Sequence, residues 1–286
     1  MSPTRPQSGV GGQAYEAILV RPSETLVAVD FDGTLAPITD DPEQAYADPV
    51  AVAALGRLGA LVGQVVVITG RPARTAVRLG GFDRVQGLDR LVVLGQYGVE
   101  RWDAATGEYV LPPEPEAITT VREELPGLLA DLGLDRVRIE NKGRAIGVHT
   151  RELRDPAALR RLEGPIRDLA ERHGLHVEPG KSVLEIRAPG IDKGDALRRI
   201  VVEVGARQVV FAGDDLGDLP AFRAVEQLRT EGVDGLLICS ASHEEDALTE
   251  ISDLVLDGPA GVAEWLSALA ARLERDRPAS DGPAGN

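Results

Sequence analysis

The stretch Leu26–Thr34, LVAVDFDGT, decides the fold, because an apolar run stops here abruptly at two aspartates, a glycine and a threonine. A run without polar positions is typical of a strand buried on both faces of a parallel α/β sheet. Asp30 and Asp32 then lie where the strand leaves the sheet, and residues two apart in an extended chain point the same way. An Asp-Gly turn is the alternative for DGT alone. The apolar strand before DxDGT favours a site in the crevice beyond the sheet, where such folds bind ligands.

Strands and helices alternate on both sides of a middle region, which implies parallel βαβ units and a doubly wound α/β sheet. The predicted strands are Leu26–Asp30, Val65–Thr69, Leu91–Leu94, Gln208–Ala212, Leu236–Cys239 and Leu254–Leu256. The predicted helices are Pro49–Val62, Pro72–Leu79, Lys193–Val204, Asp218–Leu228 and Val262–Arg275.

The middle region breaks this alternation with two helix-hairpin units. Helices are predicted at Glu116–Leu132 and Pro156–His173, and each precedes a hairpin, turning at Lys142-Gly143 and at Pro179-Gly180. We therefore expect residues 111–187 to form an α/β cap domain, inserted into a core built from residues 14–110 and 188–278. The polar segments 1–13 and 279–286 are predicted to be disordered.

Composition limits the possible partners. The formal net charge of −15 disfavours binding to nucleic acid and to anionic membranes. Cys239, the single cysteine, lies in an apolar run and is predicted to be a buried small hydrophobe rather than a nucleophile. No apolar stretch reaches membrane-spanning length and the N-terminus lacks the apolar core of a signal peptide, so we expect a soluble, cytoplasmic protein. We also expect a monomer. Lysine occurs only as Lys142, Lys181 and Lys193, all in candidate site segments.

Three further segments end at the same crevice if the core strands are parallel. They deliver Thr69 from VVVITG, Lys193 from IDKG, and Asp214, Asp215 and Asp218 from VVFAGDDLGD. Each alone is also compatible with an ordinary turn, cap or solvated lysine. In the order DxDGT, TG, KG and GDDxxD they resemble the four motifs of the haloacid dehalogenase superfamily of phosphotransferases.

Clustered carboxylates with one lysine suit the chemistry of an anionic phosphate ester. They indicate an oxygen-liganded divalent cation, Mg²⁺, which we expect Asp30, Asp32, Asp214 and Asp218 to hold. Asp30 would form an aspartyl-phosphate and Asp32 would act as general acid and base. Thr69 would hydrogen-bond a phosphoryl oxygen, while Lys193 balances charge and Asp218 supports the metal or orients Lys193. Gly33, Thr34, Gly70 and Arg71 complete the expected phosphate-binding segments.

At longer stretches the resemblance sharpens to the trehalose-6-phosphate phosphatase family. The segments that carry it are DFDGTLAPI, ITGRP, GQYGVE, ENK with HTR, GKSVLEIR, IDKG and GDDLGDLPAF. It implies a haloacid-dehalogenase-like core with an α/β cap, Mg²⁺, and hydrolysis of trehalose 6-phosphate to trehalose and phosphate, the last step of trehalose biosynthesis. By matching position it assigns Glu140, Lys142 and Glu185 to sugar binding.

Three other charged cap residues, His149, Arg151 and Lys181, are candidates for the same surface, although a solvated sheet face is the alternative for any one of them. Tyr97 and Leu219 depart from the family pattern, which commonly has His and Glu there. Two other functions remain open. One is a phosphatase for another phosphosugar, such as sucrose phosphate or mannosyl phosphoglycerate, and the other is a catalytically silent phosphosugar-binding module.

Overall fold

The computed structural model describes residues 6, 9–150, 156–180, 183–188, 190, 192–241 and 248–277. The chain divides into two compact units: a core unit, Met1–Val110 with Ile191–Asn286, and an inserted unit, Leu111–Gly190. The boundaries expected from the sequence, at residues 111 and 187, lie beside this division.

Strands and helices follow each other in chain order within these units. The strands are β1 (Thr25–Val29), β2 (Gln64–Ile68), β3 (Val92–Gly95), β4 (Glu100–Asp103), β5 (Glu108–Val110), β6 (Arg138–Asn141), β7 (Ala145–His149), β8 (His176–Gly180), β9 (Val183–Arg187), β10 (Gln208–Gly213), β11 (Asp234–Ala241) and β12 (Leu254–Asp257). The helices are α1 (Gly9–Val20), α2 (Pro49–Gly59), α3 (Ala73–Gly80), α4 (Glu116–Asp131), α5 (Pro156–Arg172), α6 (Lys193–Val204), α7 (Leu219–Thr230) and α8 (Gly258–Asp276).

The core unit is built on one sheet in the order β12-β11-β10-β1-β2-β3-β4-β5. The six strands from β12 to β3 are parallel, and β4 and β5 extend the sheet antiparallel. Val27 and Val29 of β1 pack on one face with α1, α2, α3 and α8, whereas Leu26 and Ala28 pack on the other face with α6 and α7. The predicted doubly wound α/β fold is confirmed, and β1 is buried on both faces because helices cover both.

This topology positions the candidate residues. Because β1, β2 and β10 are parallel neighbours, their carboxyl ends meet at one edge of the sheet. Asp30, Thr69 and Asp214 each come directly after one of these strands. The hydrogen bond from the Asp30 main-chain N–H to the Ala212 carbonyl, 2.9 Å, carries the β1–β10 pairing up to the first aspartate.

The inserted unit has an antiparallel sheet in the order β6-β7-β9-β8. Residues that pair across the strands share a face, and successive residues alternate between faces. Ile146, Val148, Leu184 and Ile186 lie on the face that packs with the apolar residues of α4 and α5. The charged residues of β6 and β9 therefore share the opposite face.

The structure corrects two predictions. Residues 9–13 are not disordered but begin α1, because Ala14, Tyr15 and Ile18 bury an apolar stripe against the core. Pro179 and Gly180 do not form the second hairpin turn: they belong to β8, and Gly180 pairs with Val183. Residues 181–182 lie outside the described residues. Pro179 is tolerated because β8 is an edge strand.

Strands β4 and β5 have no counterpart among the predicted elements, since they are short and β5 is largely exposed. Cys239 is buried, as expected, and burial raises the pKa of its thiol. Within the described residues, no helix is long and apolar enough to cross a membrane.

Substitutions at two adjacent glycines of α1 test whether this helix packs against the core as described. A Cβ added at Gly11 would lie 2.5 Å from Asp253 Cβ, whereas at Gly12 the nearest atom is 3.8 Å away. Gly11→Ala should lower the free energy of unfolding by about 1–3 kcal/mol through overpacking. Gly12→Ala should raise it by up to about 1 kcal/mol because alanine favours helix. Urea unfolding of both variants measures this, and equal effects would contradict the packing of α1.

Candidate active site

A buried lysine connects two of the predicted aspartates. Lys193 Nζ lies 2.7 Å from Asp30 Oδ1 and 2.7 Å from Asp218 Oδ1. The side chains of Lys193 and Asp30 are each 5% exposed and that of Asp218 is fully buried. Lys193 is the first residue of α6, where the side chain of Asp192 accepts the Asp195 N–H and fixes the start of the helix. Of the two roles expected for Asp218, the structure shows the contact that orients Lys193.

Asp214 completes a compact acidic cluster. Carboxylate oxygens of Asp30, Asp214 and Asp218 lie within 4.8 Å of one another. The second oxygen of Asp218 accepts the Asp214 main-chain N–H at 3.0 Å, which holds the loop after β10. Gly33, with φ +74°, makes room for this arrangement, because a Cβ there would overlap the Asp214 carboxylate.

The electrostatics of the cluster are unfavourable without a further cation. Burial, followed by the negative charge of Asp218, raises the pKa of Asp30 well above its ordinary value. Burial and the charge of Asp30 raise the pKa of Asp214 to about 10. Burial alone would lower the pKa of Lys193, but the charges of Asp218 and Asp30 raise it, so this lysine stays protonated. One ammonium group cannot neutralise three carboxylates.

The cluster fits a divalent metal ion. Asp214 Oδ1 is buried and has no hydrogen-bond partner among the described residues, a state that costs free energy unless a ligand is bound. Carboxylate oxygens are the donors that hard divalent cations prefer. Asp30, Asp214 and Asp218 are therefore a candidate metal site. The Asp32 carboxylate lies outside this group, and its place in the metal set stays a prediction.

Asp32 instead pairs with Arg71. Two guanidinium nitrogens, Nε and Nη2, donate to its two oxygens, each at 2.6 Å. Arg71 also donates to the Pro42 carbonyl at 2.9 Å, and its guanidinium lies 5.6 Å from the centre of the Phe31 ring. The Asp32 side chain is 39% exposed, unlike that of Asp30. The two aspartates of DxDGT thus differ in partner and in access to solvent.

Thr69 and its neighbours follow β2 at the same edge of the sheet. The buried Thr69 hydroxyl oxygen accepts the Arg71 main-chain N–H at 3.1 Å, which leaves its proton for an incoming acceptor. Thr34 is also buried, and its hydroxyl has no partner among the described residues. The Gly70 carbonyl accepts from the Gln96 side chain at 3.1 Å. Sequence reasoning identified Thr69, Thr34 and Gly70 but not Gln96.

The loop that contains Gly33 has a second support that the sequence did not reveal. Ser240, fully buried in β11, donates its hydroxyl proton to the Gly33 carbonyl at 2.6 Å. The Gly33 N–H in turn donates to the Ala36 carbonyl at 2.7 Å. Serine at a strand end gives no sequence signal for a bond to a residue 207 positions away. Ser240 thereby fixes the glycine turn against which Asp214 packs.

In the inserted unit, predicted residues meet on the polar sheet face. Glu140, Gly147 and Glu185 form one cross-strand row on β6, β7 and β9. His149 Nε2 lies 2.7 Å from Glu140 Oε2, and this hydrogen bond is the main reason that the pKa of Glu140 falls to about 2. A Cβ at Gly147 would lie 3.0 Å from the His149 ring, so glycine leaves space for this contact.

Lys142 and Glu185 form a second pair on this face. Lys142 Nζ donates to Glu185 Oε2, and both side chains are largely buried. Glu185 Oε1 is buried without a hydrogen-bond partner among the described residues, so it can accept from a ligand hydroxyl. The structure thus brings together Glu140, Lys142, His149 and Glu185. Arg151 and Lys181 lie outside the described residues.

The chain is similar in sequence to known proteins. A family model described as trehalose-phosphatase matches residues 28–253. The chain belongs to the trehalose-phosphatase family. The trehalose-phosphate phosphatase of Mycobacterium marinum is 32% identical over 257 residues, which are 86% of this chain and 62% of that protein. The chain therefore spans less than two thirds of the length of this curated relative.

Solved structures confirm the predicted haloacid-dehalogenase-like fold. The C-terminal domain of Candida albicans trehalose-6-phosphate phosphatase is similar with a TM-score of 0.69 at 20% identity, covering 91% of this chain and 94% of that one. A haloacid dehalogenase-like hydrolase from Bacteroides thetaiotaomicron is similar with a TM-score of 0.60 at 16% identity, covering 86% of this chain and 99% of that one. The Tyr97 ring lies near Gly70, and Leu219 begins α7 directly after Asp218. That these two positions depart from the family pattern stays a prediction.

Asp214→Asn should separate stability from metal binding. Folding raises the pKa of the Asp214 carboxyl from about 4 in the unfolded state to about 10. Its contribution to stability is therefore complete at a pH below about 4 and is lost as the pH rises towards 10. Without divalent metal, the variant should therefore have a higher Tm than the wild type, with a larger gain at pH 8 than at pH 5. Each kcal/mol gained in the free energy of unfolding should raise the Tm by about 2–4 °C.

Added Mg²⁺ should raise the Tm of the wild type, because it binds the folded state, and should have little effect on Asp214→Asn. Differential scanning calorimetry with and without EDTA measures both effects. Asp89→Asn, which removes an exposed carboxylate of the same unit, is the control. An unchanged Tm and an undiminished response to Mg²⁺ in Asp214→Asn would contradict the metal site.

Proposed function

We propose that this chain is a trehalose-6-phosphate phosphatase, which hydrolyses trehalose 6-phosphate to trehalose and phosphate. The observation that carries the proposal is the buried Asp30–Lys193–Asp218 contact beside the unpartnered Asp214 oxygen. A binding protein has no need to bury a nucleophile, its counter-ion and a metal-ligand set together. Membership of the trehalose-phosphatase family supports the choice of substrate.

The reaction would proceed in two displacements at phosphorus. An oxygen of Asp30 attacks the phosphoryl group, the bond from phosphorus to the sugar oxygen breaks, and Asp32 gives the leaving oxygen a proton. Asp32 then takes a proton from water, which attacks the aspartyl-phosphate and releases phosphate. Lys193 Nζ, bonded to Asp30, opposes the rise in the pKa of that carboxyl and orients it. When bound by the aspartates, Mg²⁺ would supply the positive charge that a phosphate ester needs beside them.

Thr69 and Arg71 are proposed to bind the phosphoryl oxygens. The hydroxyl of Thr69 retains its proton for donation, since its oxygen accepts from the Arg71 N–H. A phosphate dianion would compete with Asp32 for the bidentate guanidinium of Arg71. Release of Asp32 from this pair would let it take up the proton that the leaving group requires. Catalysis would then rest on positioning and on electrostatic stabilisation.

The polar sheet face of the inserted unit is proposed to bind the sugar. Carboxylates accept hydrogen bonds from hydroxyl groups, and an ammonium donates to them. Glu185 Oε1 has an unused acceptor in a buried position, and Glu140 stays ionised because its pKa is lowered to about 2. Together with Lys142 and His149 these residues offer donors and acceptors on one surface. Arg151 and Lys181 remain candidates for the same role.

A phosphate-release assay with a panel of phosphosugars tests the proposal. Trehalose 6-phosphate should be hydrolysed far faster than sucrose 6-phosphate or mannosyl phosphoglycerate, and EDTA should abolish turnover until Mg²⁺ is restored. Lys142→Ala and Glu185→Ala should each lower kcat/KM for trehalose 6-phosphate roughly 10- to 100-fold, the value of a hydrogen bond to a charged group. Both should leave hydrolysis of p-nitrophenyl phosphate nearly unchanged.

Glu163→Ala is the matched control, because it removes a half-exposed carboxylate from α5 of the same unit, where Glu163 pairs only with Arg167 at 2.8 Å among the interactions described. It should leave both substrates unaffected. Comparable turnover of sucrose 6-phosphate and trehalose 6-phosphate would sink the assignment of substrate. Equal losses on the sugar phosphate and the aryl phosphate would show that the polar face does not select the sugar.

A further inference from the structure

The turn between β3 and β4 contains an unusual backbone conformation beside the active site. Gln96 and Tyr97 have φ values of +48° and +60°, and they are the only non-glycine residues with positive φ in the described part of the chain. Side chains with a Cβ rarely adopt this left-handed region, and two in succession cost free energy that other contacts must offset. The turn lies next to the segment that follows β2, because β2 and β3 are neighbours.

The strained turn donates hydrogen bonds to the main-chain carbonyls of residues 69–71. The Tyr97 N–H donates to the Thr69 carbonyl at 3.0 Å. Gln96 contributes two donors: its main-chain N–H bonds the Arg71 carbonyl at 2.9 Å, and its side-chain Nε2 bonds the Gly70 carbonyl at 3.1 Å. Three successive carbonyls are thus held by two residues of one turn.

Two further contacts support this set of hydrogen bonds, here called the clamp. The Tyr97 ring lies against Gly70, where an added Cβ would be 3.0 Å from the phenol oxygen. The buried Glu100 carboxylate accepts the Ala73 N–H at 2.7 Å and fixes the first residue of α3. The clamp therefore reaches from the residue after β2 to the start of the next helix.

The side chains that this clamp positions are Thr69 and Arg71, and Arg71 in turn holds Asp32. We propose that Gln96 is a positioning residue for the phosphatase reaction, acting through the Gly70 and Arg71 carbonyls on the groups that face the phosphoryl ester. This inference rests on the proposed function, and it adds a residue to which neither the sequence motifs nor the family resemblance gave a role. Gln96 does not touch the reacting groups.

The chemistry of the side chain explains why glutamine suits this position. Its carboxamide is a donor to the Gly70 carbonyl, and it is only 4% exposed. Glutamate has the same size but no proton to donate when ionised, so it would face the carbonyl oxygen with a negative charge. Glycine would relieve the left-handed strain but would remove the donor. The two replacements therefore affect strain in different ways and share the loss of one hydrogen bond.

The test compares Gln96→Gly and Gln96→Glu with the wild type on trehalose 6-phosphate and on p-nitrophenyl phosphate. Displacing Thr69 and Arg71 should lower kcat about 10- to 100-fold on both substrates, since misplacement of reacting groups acts on the chemical step. The fall should appear in kcat rather than KM, and Gln96→Gly should keep the wild-type Tm. Loss on both substrates separates this role from that of Lys142, which concerns the sugar alone.

Gln64→Ala is the matched control, because Gln64 also donates its carboxamide to a main-chain carbonyl, that of Arg90, but at the opposite end of β2. It should leave kcat unchanged. Wild-type kcat in both folded Gln96 variants would overturn the inference, as would a fall in kcat that only parallels a loss of folded protein by circular dichroism. A wild type that hydrolyses p-nitrophenyl phosphate but not trehalose 6-phosphate would refute the proposed substrate, while the aryl phosphate still tests Gln96.

Discussion

The contact of Lys193 with Asp30 and Asp218 is the interaction on which the proposed active site depends. Two carboxylates and an ammonium group are buried together, with both nitrogen-to-oxygen distances at 2.7 Å. Removing charges from water is costly, and an unpaired member would cost far more than a paired one. A compact ammonium can lie between two oxygens in this way, whereas a planar guanidinium would need a wider space. The lysine therefore sets both the geometry and the charge of the cluster.

The parallel sheet makes this contact possible. Asp30 and Asp214 follow neighbouring strands, so their side chains meet at one edge of the sheet without any long loop. Glycine 33 allows the acidic side chains to approach, and Ser240 holds the glycine turn. Negative charge then exceeds positive charge in a buried space, which is the condition under which a divalent cation and a phosphate ester bind together. The buried carboxylates therefore lower the stability of the fold at the position where the cation and the ester are proposed to bind.

The inserted unit presents charged side chains on one face of an antiparallel sheet. An antiparallel sheet with one apolar face on helices leaves its other face free to carry charged groups. The Lys142–Glu185 and His149–Glu140 pairs keep these groups in fixed positions while Glu185 retains one unused acceptor. Such a surface suits a hydroxyl-rich ligand.

Most of the core could be predicted from the sequence because hydrophobic pattern and strand ends determine it. Helix α6 begins and ends at the predicted residues, and Thr69 lies at the carboxyl end of β2, within one residue of the predicted strand end. Contacts between side chains distant in sequence could not be predicted, since no local pattern encodes them: the pairing of Asp32 with Arg71 is one example. The proposed role of Gln96 depends on a left-handed backbone that glutamine does not signal. Helix α1 was missed because its glycines resemble a flexible terminus.

The most direct measurement is to locate the covalent intermediate. The enzyme would be mixed with trehalose 6-phosphate and Mg²⁺, quenched in acid during turnover, and mapped by peptide mass spectrometry. We expect the phosphoryl group on Asp30, the carboxylate that Lys193 contacts, and on no other residue. A phosphoryl group on a different side chain, or turnover without any adduct under conditions that trap acyl phosphates, would contradict the nucleophile and the arrangement built around it.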